Sequence, residues 1–190
     1  MGRIILVTGG VRSGKSTFAE RCAAHCAEET GASVAYIATA QIYDEEMRRR
    51  VDLHQTRRPA DWSTYEAPFH SENAIRAAGA SNGVILFDCI TMFLSNDMLQ
   101  YPEEEQECES FALHVEERVG ALLQAAQEIA ATTIFVTNEV GAGIVPEHRL
   151  GRLYRDMAGL ANQQIARSAD AVYLVVCGIP VNIRQLAEDI

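Results

Sequence analysis

The amino-acid sequence predicts an α/β fold in which helices cover both faces of a mostly parallel sheet. Short apolar runs alternate with helical patterns along the chain, which is typical of parallel strands joined by helical crossovers. The runs are apolar at almost every position, as strands are when both of their faces are buried. They are residues 4–7, 34–38, 83–88, 134–137 and 171–177. The sequence therefore indicates three layers with the sheet in the middle.

The intervals between these runs carry the helical patterns. We expect helices over 16–29, 43–54, a short stretch ending near 78, 101–131 and 147–169. The last segment, 178–183, contains Pro180, which cannot donate to a strand ladder, so we expect an antiparallel strand at the sheet edge. No repeat, low-complexity tract or linker interrupts the 190 residues. We expect residues 1–190 to form a single domain.

The composition excludes several classes of protein. The formal net charge is −10, so the chain has no basic surplus with which a general nucleic-acid binder would neutralise phosphates. Its apolar runs are far too short to span a membrane, and we expect no membrane anchor. Five cysteines without a C-x-x-C pair or a secretory signal predict reduced thiols and a cytoplasmic location.

One segment between the first apolar run and the first helical pattern carries the strongest functional signal. It fits the phosphate-loop pattern G-x-x-x-x-G-K-[ST] at every fixed position. The segment consists of Gly9, Gly10, Val11, Arg12, Ser13, Gly14, Lys15 and Ser16. Its glycines let successive backbone N–H groups turn inward around a polyphosphate, and the following helix presents its positive end to the same anion. The sequence predicts that the protein binds a nucleoside triphosphate.

Three side chains supply the chemistry that such a loop needs. Lys15 can reach the β- and γ-phosphates, and the hydroxyl of Ser16 can ligate Mg²⁺. Asp88 ends the apolar run 83–88, which is the pattern of a Walker B strand that places a carboxylate beside the same metal ion. An aspartate at a strand end is also common as a helix cap. The phosphate loop makes Asp88 the leading candidate for the second metal ligand.

Two further positions have alternative interpretations from the residues alone. Thr39 follows the run 34–38, so it either contacts a nucleotide or makes an ordinary strand-end hydrogen bond. His54 shares an apolar helix face with Met47 and Val51 and precedes Arg57 and Arg58. It is either a histidine at the edge of the core or an imidazole nucleophile held among phosphate-binding arginines.

Several separated segments together resemble one family. They are I-L-V-T-G-G-V-R-S-G-K-S near the start, Y-I-A-T-A-Q-I-Y-D-E-E-M-R-R-R-V, the R-R-P-A-D-W-S-T-Y-E that closely follows His54, and V-T-N-E-V-G-A-G-I-V-P-E-H-R-L-G-R-L-Y-R-D-M-A-G-L-A-N-Q. These segments resemble the bifunctional adenosylcobinamide kinase/adenosylcobinamide-phosphate guanylyltransferases of cobalamin biosynthesis. The resemblance spans nearly the whole chain, and its V-T-N-E-V-G-x-G-I-V-P block is much more specific than the phosphate loop.

The resemblance implies a RecA-like phosphate-loop NTPase fold, a homotrimer and two reactions. A nucleoside triphosphate, ATP or GTP, first phosphorylates the aminopropanol hydroxyl of adenosylcobinamide. GTP then transfers GMP to that phosphate through a GMP–histidine intermediate, which the motif match places at His54. The nucleotide contacts implied beyond the phosphate loop are Ala38, Thr39, Ala40, Gln55, Thr56, Arg57, Arg58, Glu66 and Asp88. A carboxylate at Glu66 can accept from guanine N1–H and the exocyclic amine, which predicts a preference for guanine.

Two other functions are compatible with a phosphate loop. One is a kinase of another small alcohol, in which His54 would be purely structural. The other is a nucleotide-dependent regulatory or assembly module with slow hydrolysis and a protein partner. A covalent GMP adduct would distinguish the first from the family's chemistry, and a corrinoid-stimulated reaction would exclude the second.

Overall fold

The strands form one central sheet. A computed structural model of the chain describes residues 2–101 and 108–188, without the side chains of residues 50, 54, 57 and 108. Its seven strands are β1 (Ile4–Thr8), β2 (Val34–Ala38), β3 (Ser63–Glu66), β4 (Val84–Asp88), β5 (Thr132–Val136), β6 (Ala171–Val176) and β7 (Ile179–Asn182). Their order is β3-β2-β4-β5-β1-β6-β7, and only the β6–β7 pairing is antiparallel. The predicted α/β class and the antiparallel edge strand containing Pro180 are confirmed.

Helices cover both faces of this sheet. They are α1 (Lys15–Thr30), α2 (Glu45–Arg57), α3 (Ser71–Gly79), α4 (Ile90–Gln100), α5 (Cys108–Glu128) and α6 (Arg149–Ser168). Alternate residues of β1 point to opposite layers: Ile5 and Val7 pack with α1, whereas Ile4 and Leu6 pack with α3 to α6. Within the described ranges, no helix is both long and apolar enough to cross a membrane.

Two elements were not predicted from the sequence. β3 has the sequence S-T-Y-E and is largely exposed, because it lies at the sheet edge and pairs only with β2. Such a strand lacks the continuous apolar run that identified the others. α4 is apolar around most of its circumference, with Phe93, Leu94 and Met98 buried. A helix buried on most sides shows no amphipathic period.

Asp44 caps the start of α2. Its i,i+4 spacing from Arg48 would suit an ion pair, but its Oδ1 accepts a hydrogen bond from the backbone N of Met47 at 2.7 Å instead. Arg48 lies 3.8 Å from Glu45, one residue further along. A cap satisfies a backbone N–H group that has no partner within the helix, which an exposed ion pair does not do. The predicted start of α5 falls partly on residues 102–107, which lie outside the described residues.

Candidate nucleotide-binding site

The phosphate loop joins the central strand β1 to α1. Gly14 precedes the helix with a φ of +95°, a left-handed conformation that glycine adopts at no steric cost. The backbone N of Ser13 donates to the carbonyl of Gly10 at 3.2 Å, which closes a tight turn within the loop. The Nζ of Lys15 donates to the same Gly10 carbonyl at 3.3 Å. The loop therefore has the strand–turn–helix context that its motif requires.

The backbone of β6 and of the turn after it packs closely against the phosphate loop. A Cβ on Gly9 would lie 2.5 Å from the carbonyl oxygen of Val175 in β6. A Cβ on Gly14 would lie 3.0 Å from the Cα of Gly178, in the turn between β6 and β7. Gly10, by contrast, has open space around its Cβ direction. Two glycines of the motif are thus required by close approach of neighbouring backbone, and the third is not.

A cavity of about 870 Å³ extends from the phosphate loop to α2. Its volume is in the range of nucleotide and cofactor sites. Its walls include the loop and the start of α1, residues of α2, and the ends of β2 and β4. Sequence-predicted residues on the walls are Val11, Arg12, Gly14, Lys15, Ser16, Ala38, Ala40, Gln55, Arg58, Glu66 and Asp88. The tertiary structure therefore brings together most of the predicted contacts from five separate segments.

Two charged residues, Lys15 and Asp88, determine the electrostatics of the part of the cavity beside the phosphate loop. Burial lowers the pKa of Lys15 from its ordinary value, and the neighbouring Cys89 and Asp88 act in the opposite direction. A partly desolvated ammonium beside a carboxylate is suited to bind a phosphate anion, because its attraction to charge is less screened than in water. Lys15 and Asp88 both line the cavity, as the motif predicts.

The oxygen ligands available here fit Mg²⁺. The hydroxyl-bearing Ser16 and the carboxylate-bearing Asp88 both lie on the cavity wall. Mg²⁺ is commonly held by one or two such protein oxygens together with water and substrate phosphates. No group of three or more His, Cys, Asp or Glu residues that could hold a metal occurs in the part of the chain that the structure describes. This donor set suits a metal that arrives with a nucleotide.

Tyr36 contacts both Asp88 and Arg58, which line the cavity. Its hydroxyl donates to Oδ2 of Asp88 at 2.6 Å, and the guanidinium carbon of Arg58 lies 3.5 Å from its ring centroid. Burial and the neighbouring Asp88 carboxylate raise the pKa of Tyr36 well above its ordinary value, so its hydroxyl stays a donor. A stacked cation of this kind contributes about 0.5–2 kcal/mol, depending on how far it is desolvated.

Thr39 makes the strand-end hydrogen bonds that were one of its two predicted roles. Its side chain is fully buried, and Oγ1 accepts from the backbone N of Cys89 at 2.8 Å while donating to the Cys89 carbonyl at 2.9 Å. These two hydrogen bonds connect the carboxyl ends of β2 and β4, which are Ala38 and Asp88. Thr39 lies behind the cavity wall and is not part of it.

The residues of the segment 54–58 differ in whether they line the cavity. Gln55 and Arg58 line the cavity. Thr56 is exposed, and its hydroxyl donates to the Asp52 carbonyl of its own helix at 2.6 Å. His54 belongs to α2, whose residues Val51 and Gln55 on either side of it line the cavity. The side chains of residues 54 and 57 lie outside what the structure describes.

Sequence reasoning missed several residues of the cavity. Tyr36, Gln41, Met92 and Asn138 line it alongside the predicted set. A signal for Tyr36 is its position in the otherwise aliphatic strand V-A-Y-I-A, since a buried tyrosine hydroxyl usually needs a polar partner. Asn138 belongs to the V-T-N-E-V-G-x-G-I-V-P block, but nothing within that block distinguishes it as a cavity residue. It follows β5, donates to the Thr91 hydroxyl at 2.8 Å and faces the cavity only because β5 lies between β1 and β4.

The loop, the carboxylate two strands away and the cavity between them define a phosphate-loop nucleotide-binding protein of the α/β class. Residues 5–183 match the family described as cobinamide kinase / cobinamide phosphate guanyltransferase, CobU. The chain belongs to this family.

Curated relatives agree with this assignment. The chain is 41% identical over 185 residues to the bifunctional adenosylcobalamin biosynthesis protein CobU of Escherichia coli K12, covering 95% of this chain and 99% of that protein. Identity to the CobU protein of Salmonella typhimurium LT2 is 42% with the same coverage. The corresponding protein CobP of Pseudomonas aeruginosa is 40% identical over 179 residues, or 94% of this chain and 96% of the relative.

A solved structure of lower similarity also matches. It is a KaiC-like protein from the archaeon Pyrococcus horikoshii OT3, with 19% identity and a TM-score of 0.44. The match covers 91% of this chain and 70% of that chain. Similarity at this level assigns no activity.

Proposed function

We propose that the protein catalyses two consecutive reactions at the end of one corrinoid side chain. In the first, ATP or GTP phosphorylates the aminopropanol hydroxyl of adenosylcobinamide. In the second, GTP transfers GMP to the new phosphate, which releases pyrophosphate and yields adenosylcobinamide-GDP. One observation carries the proposal: a single cavity joins the phosphate loop to the turn of α2 that contains His54.

The kinase step uses the loop end of this cavity. The backbone N–H groups of the loop and Lys15 bind the β- and γ-phosphates. Ser16 and Asp88 would hold Mg²⁺, which would neutralise phosphate charge. The substrate hydroxyl oxygen forms a bond to the γ-phosphorus as the bond to the β-phosphate oxygen breaks, so the nucleoside diphosphate leaves and the hydroxyl proton passes to solvent. Positioning and charge stabilisation are the main contributions that such a reaction needs from a protein.

The guanylyl transfer uses the α2 end. A ring nitrogen of His54 attacks the α-phosphorus of GTP, and the bond to the β-phosphate oxygen breaks to release pyrophosphate. An oxygen of adenosylcobinamide phosphate then attacks the same phosphorus, and the N–P bond breaks to regenerate the imidazole. A covalent intermediate divides a difficult transfer into two displacements. Support comes from Arg58 on the cavity wall, whose charge stabilises the developing phosphate charge.

The test is labelling with α-³²P-GTP and Mg²⁺, followed on a denaturing gel. Wild type should acquire an acid-labile, alkali-stable label, and His54→Ala should not. His25→Ala is a matched control, because His25 is an exposed histidine of α1 that pairs with Glu29, and it should label as wild type does. A folded wild-type protein that never labels would withdraw His54 as nucleophile and favour a kinase of a small alcohol alone.

We further propose that residues 1–190 act as one domain, that the enzyme works in the cytoplasm and that it assembles as a homotrimer. Support for the cytoplasm is that Cys22, Cys26, Cys89 and Cys177 are free thiols. Support for self-association is an exposed apolar strip along β7 and the short helical turn that follows it, where Ile179 is 65% and Leu186 69% exposed. Sedimentation equilibrium should report three copies, and Ile179→Glu should weaken the assembly if this strip is part of the contact.

A further inference from the structure

Tyr36 contacts two other residues of the cavity wall, Asp88 and Arg58. It lies in β2 opposite Leu86 of β4, two residues before the Ala38–Asp88 pair. From there its hydroxyl reaches diagonally to Asp88 at 2.6 Å, and its ring supports the guanidinium of Arg58 at 3.5 Å. Asp88 lies near the phosphate loop, whereas Arg58 directly follows α2. These two residues come from segments that do not pair with each other in the sheet.

We propose that Tyr36 is a positioning residue that holds the metal-binding carboxylate of Asp88 and the phosphate-binding guanidinium of Arg58 in fixed positions relative to each other. The proposal rests on the two-step function above and adds a residue to it. The hydroxyl orients the carboxylate, as outer partners of metal ligands commonly do. The ring holds the guanidinium plane without occupying its N–H donors.

The state of Arg58 supports this role. Its Nε is buried and has no hydrogen-bond acceptor among the described residues, although the residue lines the cavity. A buried guanidinium donor is costly when unpaired, and the ring of Tyr36 is the contact that offsets this cost by stacking on the guanidinium. Because that contact uses the face of the guanidinium, its N–H groups stay available to a ligand.

The two contacts of Tyr36 can be removed separately. Tyr36→Phe deletes the hydrogen bond to Asp88 and keeps an aromatic ring under Arg58. Tyr36→Leu deletes both contacts. Tyr173→Phe is the matched control: Tyr173 is a partly buried tyrosine on the same sheet face, in β6, with β4, β5 and β1 between its strand and β2. It packs against Phe18 with the ring planes tilted by 59° and the ring centroids 4.9 Å apart.

The experiment measures binding, not turnover. Mn²⁺ binding is titrated by electron paramagnetic resonance on the full chain, without corrinoid, in the presence of the analogue α,β-methylene-GTP, whose GMP group cannot be transferred. Binding of the analogue alone is measured by calorimetry in EDTA. Tyr36→Phe should weaken Mn²⁺ binding about 10- to 100-fold, the usual effect of losing an outer partner, and leave metal-free nucleotide affinity unchanged. Tyr36→Leu should weaken both, and Tyr173→Phe neither.

A purely structural tyrosine would give a different pattern. Tyr36→Phe would then lower the melting temperature while Mn²⁺ binding stayed within twofold of wild type, which overturns the proposal. Equal metal-free nucleotide affinity in Tyr36→Phe and Tyr36→Leu would overturn the role of the ring. Failure of the GMP–histidine intermediate would be seen separately, as absent labelling in a wild-type protein that still binds Mn²⁺ and analogue normally.

Discussion

The backbone N of Gly178 donates a hydrogen bond to the carbonyl oxygen of Ser13 at 2.7 Å. Through this contact the turn between β6 and β7 supports the phosphate loop from outside the motif. The same turn approaches Gly14 so closely that a Cβ there would lie 3.0 Å from the Cα of Gly178. The shape of the loop therefore depends on an antiparallel hairpin at the far end of the chain.

Replacing Gly14 should damage nucleotide binding much more than replacing Gly10. Gly14→Ala places a side chain at a φ of +95° and against Gly178, whereas Gly10→Ala meets open space. A left-handed conformation costs a non-glycine residue about 1–2 kcal/mol, so we expect a loss of GTP affinity of about 5- to 30-fold in Gly14→Ala by calorimetry. Comparable losses in the two variants would contradict this account of the loop.

Replacing Thr39 should change the stability of the folded protein. Thr39→Val removes the acceptor of the backbone N of Cys89, whereas the Cys89 carbonyl still accepts from the backbone N of Phe93 at 3.1 Å. Because the N–H group is then left without a partner in a partly buried place, the free energy of unfolding should fall by about 1–3 kcal/mol in urea titrations. Thr39→Ser keeps the hydroxyl and should stay close to wild type. Equal destabilisation of the two variants would show that the methyl group, not the hydrogen bonds, matters.

Glu66 should determine the preference for guanine. It ends β3 on the cavity wall, and its carboxylate can accept two hydrogen bonds from a guanine edge. Glu66→Gln keeps the shape but offers one acceptor oxygen, so kcat/KM for GTP should fall about 10- to 100-fold, as expected for one hydrogen bond to a charged group. ITP lacks the exocyclic amine, so kcat/KM for ITP should fall less in this variant than kcat/KM for GTP. An unchanged GTP-to-ITP ratio would remove Glu66 from base recognition.

The thiols should react in an order set by burial. Burial, with the neighbouring Cys26 thiol, raises the pKa of Cys22 to about 11, whereas Cys177 is exposed in the β6–β7 turn. Since the thiolate is the reactive form, iodoacetamide at pH 8 should label Cys177 well before Cys22, as followed by peptide mass mapping. Rapid labelling of Cys22 at pH 8 in the folded protein would contradict its buried environment.

The raised pKa of Cys22 also predicts how the free energy of unfolding depends on pH. The folded-state pKa of Cys22 lies above the ordinary value of 9.0, so its contribution is complete below pH 9. It is lost as pH rises toward 11, because the unfolded chain releases the thiol proton first. Cys22→Ala should reduce the fall in unfolding free energy over this interval, measured by urea titration at each pH. A slope identical to wild type would show that Cys22 does not contribute.

The parts of the fold that were predicted correctly depend on residues close together in the chain. The apolar strands, the helix that starts after the phosphate loop and the edge strand with Pro180 each have a local pattern. β3 and α4 were missed because their patterns reflect tertiary surroundings: one lies at a sheet edge and the other is buried on most sides. His54 and Glu66 became candidates through the family resemblance, since spacing alone left His54 with two interpretations.

By itself, the sequence determined that this chain has a phosphate loop, a carboxylate at a strand end and an α/β architecture, because each is specified by neighbouring residues. Only the tertiary structure decided that Tyr36 meets Asp88, that Thr39 binds the Cys89 backbone and that Gly178 supports Ser13. These partners are 52, 50 and 165 positions apart. Contacts over such separations depend on strand order, which brings β2 beside β4 and the β6–β7 turn beside β1.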